Sequence, residues 1–207
     1  MLSCYFIARG GAALETQAVE WVRHGDLVAA VRRLGRGGRP TPGQMLDHTA
    51  VVAAAARRMT VLPFPFGTAF QSEGAVAQLL AVRAGELEAA LERLDGKVEM
   101  TVRVRLAEKE SAASRVAGIG EEVRALETWS EVRTGRSGER MLEVAHLVAR
   151  PQAAEYRKRM AERGMEVTGP WPPMHFLPAF LRMPVRAERA RRATGSGISR
   201  APAAGGR

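Results

Sequence analysis

"KVEMTVRVRL" (residues 97–106) is the stretch on which the fold turns. Its side chains alternate: Val98, Met100, Val102, Val104 and Leu106 face one way, and Glu99, Arg103 and Arg105 the other. A period of two sustained over ten residues predicts a half-exposed β-strand. Upstream, "SEGAVAQLLAVRAGELEAALERLDG" (72–96) predicts one long helix. Ser72 is its N-cap, leucines 79, 80, 87, 91 and 94 recur near helical spacing, and Gly96 ends it. Downstream, "GEEVRALETWSEVR" (120–133) reads as helix, and "GIGEE" (118–122) as its N-terminal turn. "GRSGERMLEVAHLVA" (135–149) reads as a turn and then a strand from about Met141 to Ala149. "PQAAEYRKRMAERG" (151–164) has Pro151 at a first helical position and Gly164 at the end, and "MEVTG" (165–169) is a last short strand. The order strand, helix, strand, helix, strand leaves room for one more edge strand near 130–138. It predicts a ferredoxin-like sheet with helices on one face.

The first half reads differently. "SCYFIA" (3–8) is a short buried strand. "GDLVAAVRRL" (25–34) fits a strand or a short helix capped by Asp26, and its tight apolar run favours the strand. "GRGGRPTPG" (35–43) is loop by composition, and a helix starts near Thr41 or Pro42 and runs through "QMLDHTAVVAAAARR". The expected fold class is therefore α+β in two small domains, residues 1–96 and a ferredoxin-like 97–183. Residues 184–207 follow as a disordered arginine-rich tail, almost free of large apolar side chains and unable to offset its ordering entropy.

The net charge of +9 is unevenly placed. Residues 184–207 hold six arginines and one glutamate, a balance of +5, which leaves +4 for the other 183 residues. The high isoelectric point thus comes largely from the tail and not from a basic face on the body. The single cysteine, Cys4, excludes an internal disulfide framework and sits in an apolar run as a small core residue. No run reaches the roughly 18 apolar residues of a membrane span. The N-terminus lacks a signal-peptide pattern, so the expected location is cytoplasmic. His24, His48, His146 and His175 share no metal-ligand spacing, and GxSxG, HExxH and P-loop motifs are absent. No catalytic residue, cofactor or metal is expected.

Two loops carry unusual chemistry. "TVLPFPFGTAF" (60–70) holds three of the six phenylalanines, Phe64, Phe66 and Phe70, around Pro63 and Pro65. "TGPWPPMHF" (168–176) sets Trp171 among Pro170, Pro172 and Pro173. Each proline fixes its own φ and extends the residue before it, so the rings stand on a stiff backbone. In an extended chain Phe64 and Phe66 share one side and can fill one apolar slot. Phe64, Phe66, Phe70, Trp171 and Pro172 are accordingly candidate interface or interdomain anchors. Two readings stay open: rings that pack between the two halves, and rings exposed to capture an apolar partner.

"RRMTVLPFPFGTAF", "LERLDGKVEMTVRV" and "GPWPPMHF", in this order, resemble the gas vesicle protein F/L family (GvpL/GvpF). "HGDLVAAV" resembles the family's early segment and "MLDHTAVVAAAARR" the helix before its LP-x-x-FGT loop, so the resemblance spans roughly residues 3–177. Pro65 stands where the family usually has an arginine, and Met174 and His175 where it tends to have tyrosine and serine. The tail is an addition the resemblance does not explain. It implies a non-enzymatic accessory or minor structural component of the gas vesicle, assisting assembly. The implied partners are the hydrophobic shell protein and other accessory proteins. It also implies a two-domain α+β fold whose second domain is a modified ferredoxin-like one. The competing reading is a basic ferredoxin-like module that binds nucleic acid. Against it, the strand at 97–106 carries no aromatic on which bases could stack, so nucleic-acid contact is expected only non-specifically, through the tail.

Overall fold

The computed structural model describes residues 1–10, 19–34, 41–135 and 138–182. The tail read above as disordered and most of the loop at 35–43 lie outside the described residues.

Among the described residues two antiparallel sheets and five α-helices make a mixed α/β fold. The first sheet is built on β1 (Leu2–Arg9), with β3 (Leu27–Arg33) on one side and β2 (Glu20–His24) beyond it. The other side of β1 pairs with two short pieces, β4 (Leu62–Pro63) and β5 (Ala69–Phe70). The run at 25–34 is thus a strand, and β2 is an element the sequence reading lacked. Helix α1 (Pro42–Ala56) starts where expected: Thr41 Oγ1 accepts from the Gln44 N–H at 3.2 Å while the Gln44 side chain accepts from the Thr41 N–H at 2.9 Å.

The stretch read as one long helix is two, α2 (Glu73–Val82) and α3 (Ala84–Leu94), broken at Arg83 (φ −108°, ψ 14°). The break turns two apolar faces the same way. Val76 and Leu80 of α2 and Leu87, Ala90, Leu91 and Leu94 of α3 enter one core cluster.

The second sheet runs in the order β7-β8-β6-β9: β7 (Glu127–Thr134), β8 (Arg140–Ala149), β6 (Lys97–Leu106) and β9 (Glu166–Trp171). Helix α4 (Ala112–Val123) lies between β6 and β7, and α5 (Ala153–Glu162) between β8 and β9. Two expectations are corrected here. "ALETWSEVR" is not helix, because α4 stops at Arg124 in the left-handed region (φ 52°, ψ 47°) and β7 then pairs along β8. "GIGEE" lies in the last turns of α4, not at a helix start.

The strand β6 is central, flanked by β8 and β9, so it is not half-exposed over its length. Val98, Met100, Val102 and Leu106 pack with α4 and α5 through Ile119, Val123, Tyr156 and Met160. On the opposite face Glu99 and Thr101 are buried too, while Arg103 and Arg105 are exposed. That second face is covered by the molecule's largest cluster, where Ala145 and Leu147 of β8 meet Leu2, Cys4 and Ile7 of β1, the α2–α3 pair, and Phe176, Leu177 and Leu181. The layers therefore run α1, first sheet, α2–α3 with the 174–181 segment, second sheet, α4–α5. Cys4 lies in that shared core, fully buried, its thiol pushed up to about 12 by desolvation.

Candidate functional site

The 60–70 loop is laid along the edge of β1. Pro63, which has no N–H to give, pairs at the outermost position opposite Phe6, where a missing donor costs no ladder bond. The Phe64 N–H then donates to the Tyr5 carbonyl at 2.8 Å, and the Cys4 N–H to the Thr68 carbonyl at 3.1 Å. Between them the chain turns through Gly67 (φ 89°), and Thr68 donates from both N–H (3.1 Å) and hydroxyl (2.8 Å) to the Pro65 carbonyl. Backbone groups that two prolines would orphan are thus paired by β1 and by Thr68.

Phe64 and Phe66 do not share the one slot expected of them. Phe64 (1% exposed) and Phe70 (8%) enter the shared core and meet edge to face with centroids 6.0 Å apart. Phe66 is half-buried and lies edge-on to His48 of α1 at 5.7 Å. That imidazole stacks on Tyr5 at 5.1 Å, and its Nε2–H donates to the Phe64 carbonyl at 3.0 Å. His48 is buried, and burial lowers its pKa.

The 168–176 loop closes against β6. Gly169 (φ 107°) lets the chain pass so near that a Cβ there would stand 2.6 Å from the Glu99 carbonyl oxygen. The peptide bond from Gly169 to Pro170 is cis. Trp171 is 45% exposed, its indole N–H donating to Thr168 Oγ1 at 3.3 Å, and Pro172 behind it is half-buried.

The feature that sequence reading missed is a carboxylate–imidazole pair beneath this loop. Glu99 is 3% exposed, and both carboxylate oxygens accept from His175: one from the ring Nδ1–H at 2.7 Å, the other from the backbone N–H at 2.9 Å. Trp129 of β7 stacks on the imidazole with centroids 3.9 Å apart. Arg93 of α3 donates to the Phe176 carbonyl and pairs with Glu127, so α3, β7 and the loop meet at one guanidinium. Hydrogen bonding to Glu99 raises the His175 pKa against its own desolvation, with the fields of Glu99, Glu143 and Glu131 adding. His175 thus ties the loop to β6 through both its ring and its backbone. The signal in the sequence was Glu99 itself, a carboxylate early in a strand that turned out to be central.

His146 of β8 lies fully buried on the other face, its Nδ1 2.7 Å from the Tyr156 hydroxyl. Burial brings its pKa down to about 4 and raises that of Tyr156, so both are neutral near pH 7. Its Nε2 has no hydrogen-bond partner among the described residues. Above it runs a groove of about 580 Å³ between α4 and β7, lined by small side chains such as Ala113, Ala117, Gly120, Thr128 and Ser130. No group of three His, Cys, Asp or Glu among the described residues could hold a metal ion. No helix among them is long and apolar enough to cross a membrane.

Two sheets sharing one core, with proline-stiffened aromatic loops on their edges, define a GvpF-like fold. The crystal structure of the gas vesicle protein GvpF from Anabaena sp. PCC7120 superposes with a TM-score of 0.70 at 14% identity, covering 86% of this chain and 98% of that one. GvpF from Microcystis aeruginosa gives 0.64 at 13% identity, covering 81% and 93%. No curated protein matches the sequence. The family model described as "Gas vesicle synthesis protein GvpL/GvpF" matches residues 6–131, more than half of the chain, and the chain belongs to that family.

Proposed function

We propose that the protein is a non-enzymatic accessory or minor structural component of gas vesicles. It assists assembly by binding the hydrophobic shell protein and other accessory proteins. Membership of a gas vesicle synthesis family carries this reading. Both Glu99 oxygens are filled by His175, which suits a structural role for that pair.

Within this reading the chain is two domains, residues 1–96 and 97–183, the second ferredoxin-like. The β-α-β-β-α-β element order from β6 to β9, with both helices packed on one face, supports that division. The candidate anchors divide by burial. Phe64 and Phe70 act between the halves, since their cluster includes Ala145, Leu147 and Phe176. Phe66 fixes the loop to α1. Trp171, backed by Pro172, is the anchor offered to the shell protein: nearly half of the ring is in water, and a stiff backbone means little entropy is lost on contact. Replacing Trp171 by Ala in the full-length chain tests this. The variant should keep its circular dichroism and thermal midpoint while losing co-purification with shell protein. Undiminished co-purification of a folded variant would refute the role of this ring.

A further inference from the structure

The described residues contain five strands that end a sheet, and four are visibly protected against pairing with a further strand. β4 and β5 are two residues long, and β4 includes Pro63. β9 is interrupted by a register shift opposite Glu99 and Thr101 and by Pro170. β2 has five residues, with Glu20, Arg23 and His24 among them. β7 differs. It pairs without a register shift from Glu127 opposite Leu147 to Thr134 opposite Arg140, and it holds no proline, glycine or lysine. No described strand lies beyond it, and every residue but Trp129 is exposed. A long, regular open edge of this kind is a template for another strand.

The sequence of β7, "ETWSEVRT", selects the partner. We propose that a second copy of this chain pairs with it, β7 against β7, antiparallel about a two-fold axis at Ser130. In that register Glu127 faces the other copy's Arg133 at both ends of the seam. Thr128 faces Val132, Trp129 faces Glu131, and the two Ser130 residues meet. Opposite charges and β-branched pairs directly across a seam each favour pairing, whereas a strand lacking this charge order would meet like charges. The existing exposed ion pairs, Glu127 with Arg93 and Arg133 with Glu131, contribute little that would hold these side chains back.

The face toward α4 fits the same arrangement. Thr128 and Ser130 form part of the groove beside α4, and Val132, 39% exposed, follows them on the same side of the strand. In the paired form each Val132 stands across from the Thr128 that lines the other copy's groove. Both α4 helices lie on one side of the continuous sheet, with Ala113, Ala117 and Gly120 near the seam. A seam seven residues long is well short of the about 800 Å² per partner of a standard stable interface, so the dissociation constant should be on the order of micromolar.

The test is sedimentation equilibrium of the full-length protein. Wild type should show a reversible monomer–dimer equilibrium. R133E alone and E127R alone each place like charges opposite one another at both ends of the seam, and each should weaken association about tenfold or more. Mixing the two variants should restore it, because R133E on one copy then meets E127R on the other at both ends. Misfolding would not produce such rescue. V132K should also weaken association, and amide exchange at residues 127–133 should slow as wild-type concentration rises. A wild type that stays monomeric into the hundreds of micromolar would overturn the proposal. So would a dimer indifferent to R133E, E127R and V132K, or one that mixing the charge variants fails to restore.

Discussion

Replacing Glu99 by Gln keeps the shape of the side chain and removes its charge. The carboxylate accepts two bonds from His175, at 2.7 Å from the ring and 2.9 Å from the backbone. An amide can accept one and must turn its NH₂ toward the other donor. At about pH 5.5, where His175 is charged, the loss is one charge-assisted bond and an opposed donor, about 2–3 kcal/mol. At about pH 8.5 a neutral imidazole can present a lone pair at Nδ1 and accept from the new NH₂, so the loss falls to about 1 kcal/mol. The sign follows from linkage. The folded pKa of His175 is raised, so its contribution is fully present below the unfolded value near 6.5 and is lost as pH rises through the folded value. His48 and His146 titrate in wild type and variant alike and cancel in the difference. Urea denaturation at the two pH values measures it, and with a slope of about 2 kcal/mol/M the acid-side midpoint should drop by about 1 M or more. A variant within about 0.5 kcal/mol of wild type at the lower pH, or a penalty that does not shrink at the higher one, would show that the pair does not hold the loop.

Three further outcomes follow from the geometry. Phe64→Ala should cost about 3–5 kcal/mol by emptying the shared core, whereas Phe66→Ala should cost about 1 kcal/mol, both read by chemical denaturation. In a histidine-resolved NMR titration the His146 ring should stay neutral down to about pH 5, while His175 titrates above the ordinary histidine value; stability owed to His146 is present above about 6.5 and lost as pH falls toward its folded value of about 4. Gly169→Ala, which drives a Cβ to 2.6 Å from the Glu99 carbonyl at a φ of 107°, should sharply lower the yield of soluble protein, measured beside wild type in the same expression run.

Much of this fold was written locally. Thr41 and Ser72 cap α1 and α2 as their residue types demand, and the alternation of Lys97–Leu106 marks β6 without help from the rest of the chain. What could not be read depended on partners distant in sequence. "ETWSEVR" is rich in helix-forming Glu and Arg, and its strand state comes from pairing with β8. The stop before it is Arg124 in a conformation usually left to glycine or asparagine, so no punctuation showed where α4 ends. The break at Arg83 has no proline, and the glycine near it, Gly85, lies inside the first turn of α3; the two short helices lay their apolar faces on the shared core. Of the candidate anchors, the stiff loops were visible, but the parting of Phe64 from Phe66 required His48, sixteen residues from Phe64, to come alongside. Glu99 was legible only as a solvent-facing charge, because nothing local says that β9 and His175 will cover it.

The arrangement around Arg93 bears on how the molecule is made. Leu2, Cys4 and Ile7 are made well over a hundred residues before Phe176, Leu177 and Leu181, yet those later residues finish the cluster that buries them. Until residues 174–181 emerge that greasy surface lacks its last covering piece, and contacts between residues so far apart in sequence form slowly. A nascent chain stalled before residue 174 should therefore engage hydrophobic holdases, and release should coincide with emergence of the WPPMHF segment.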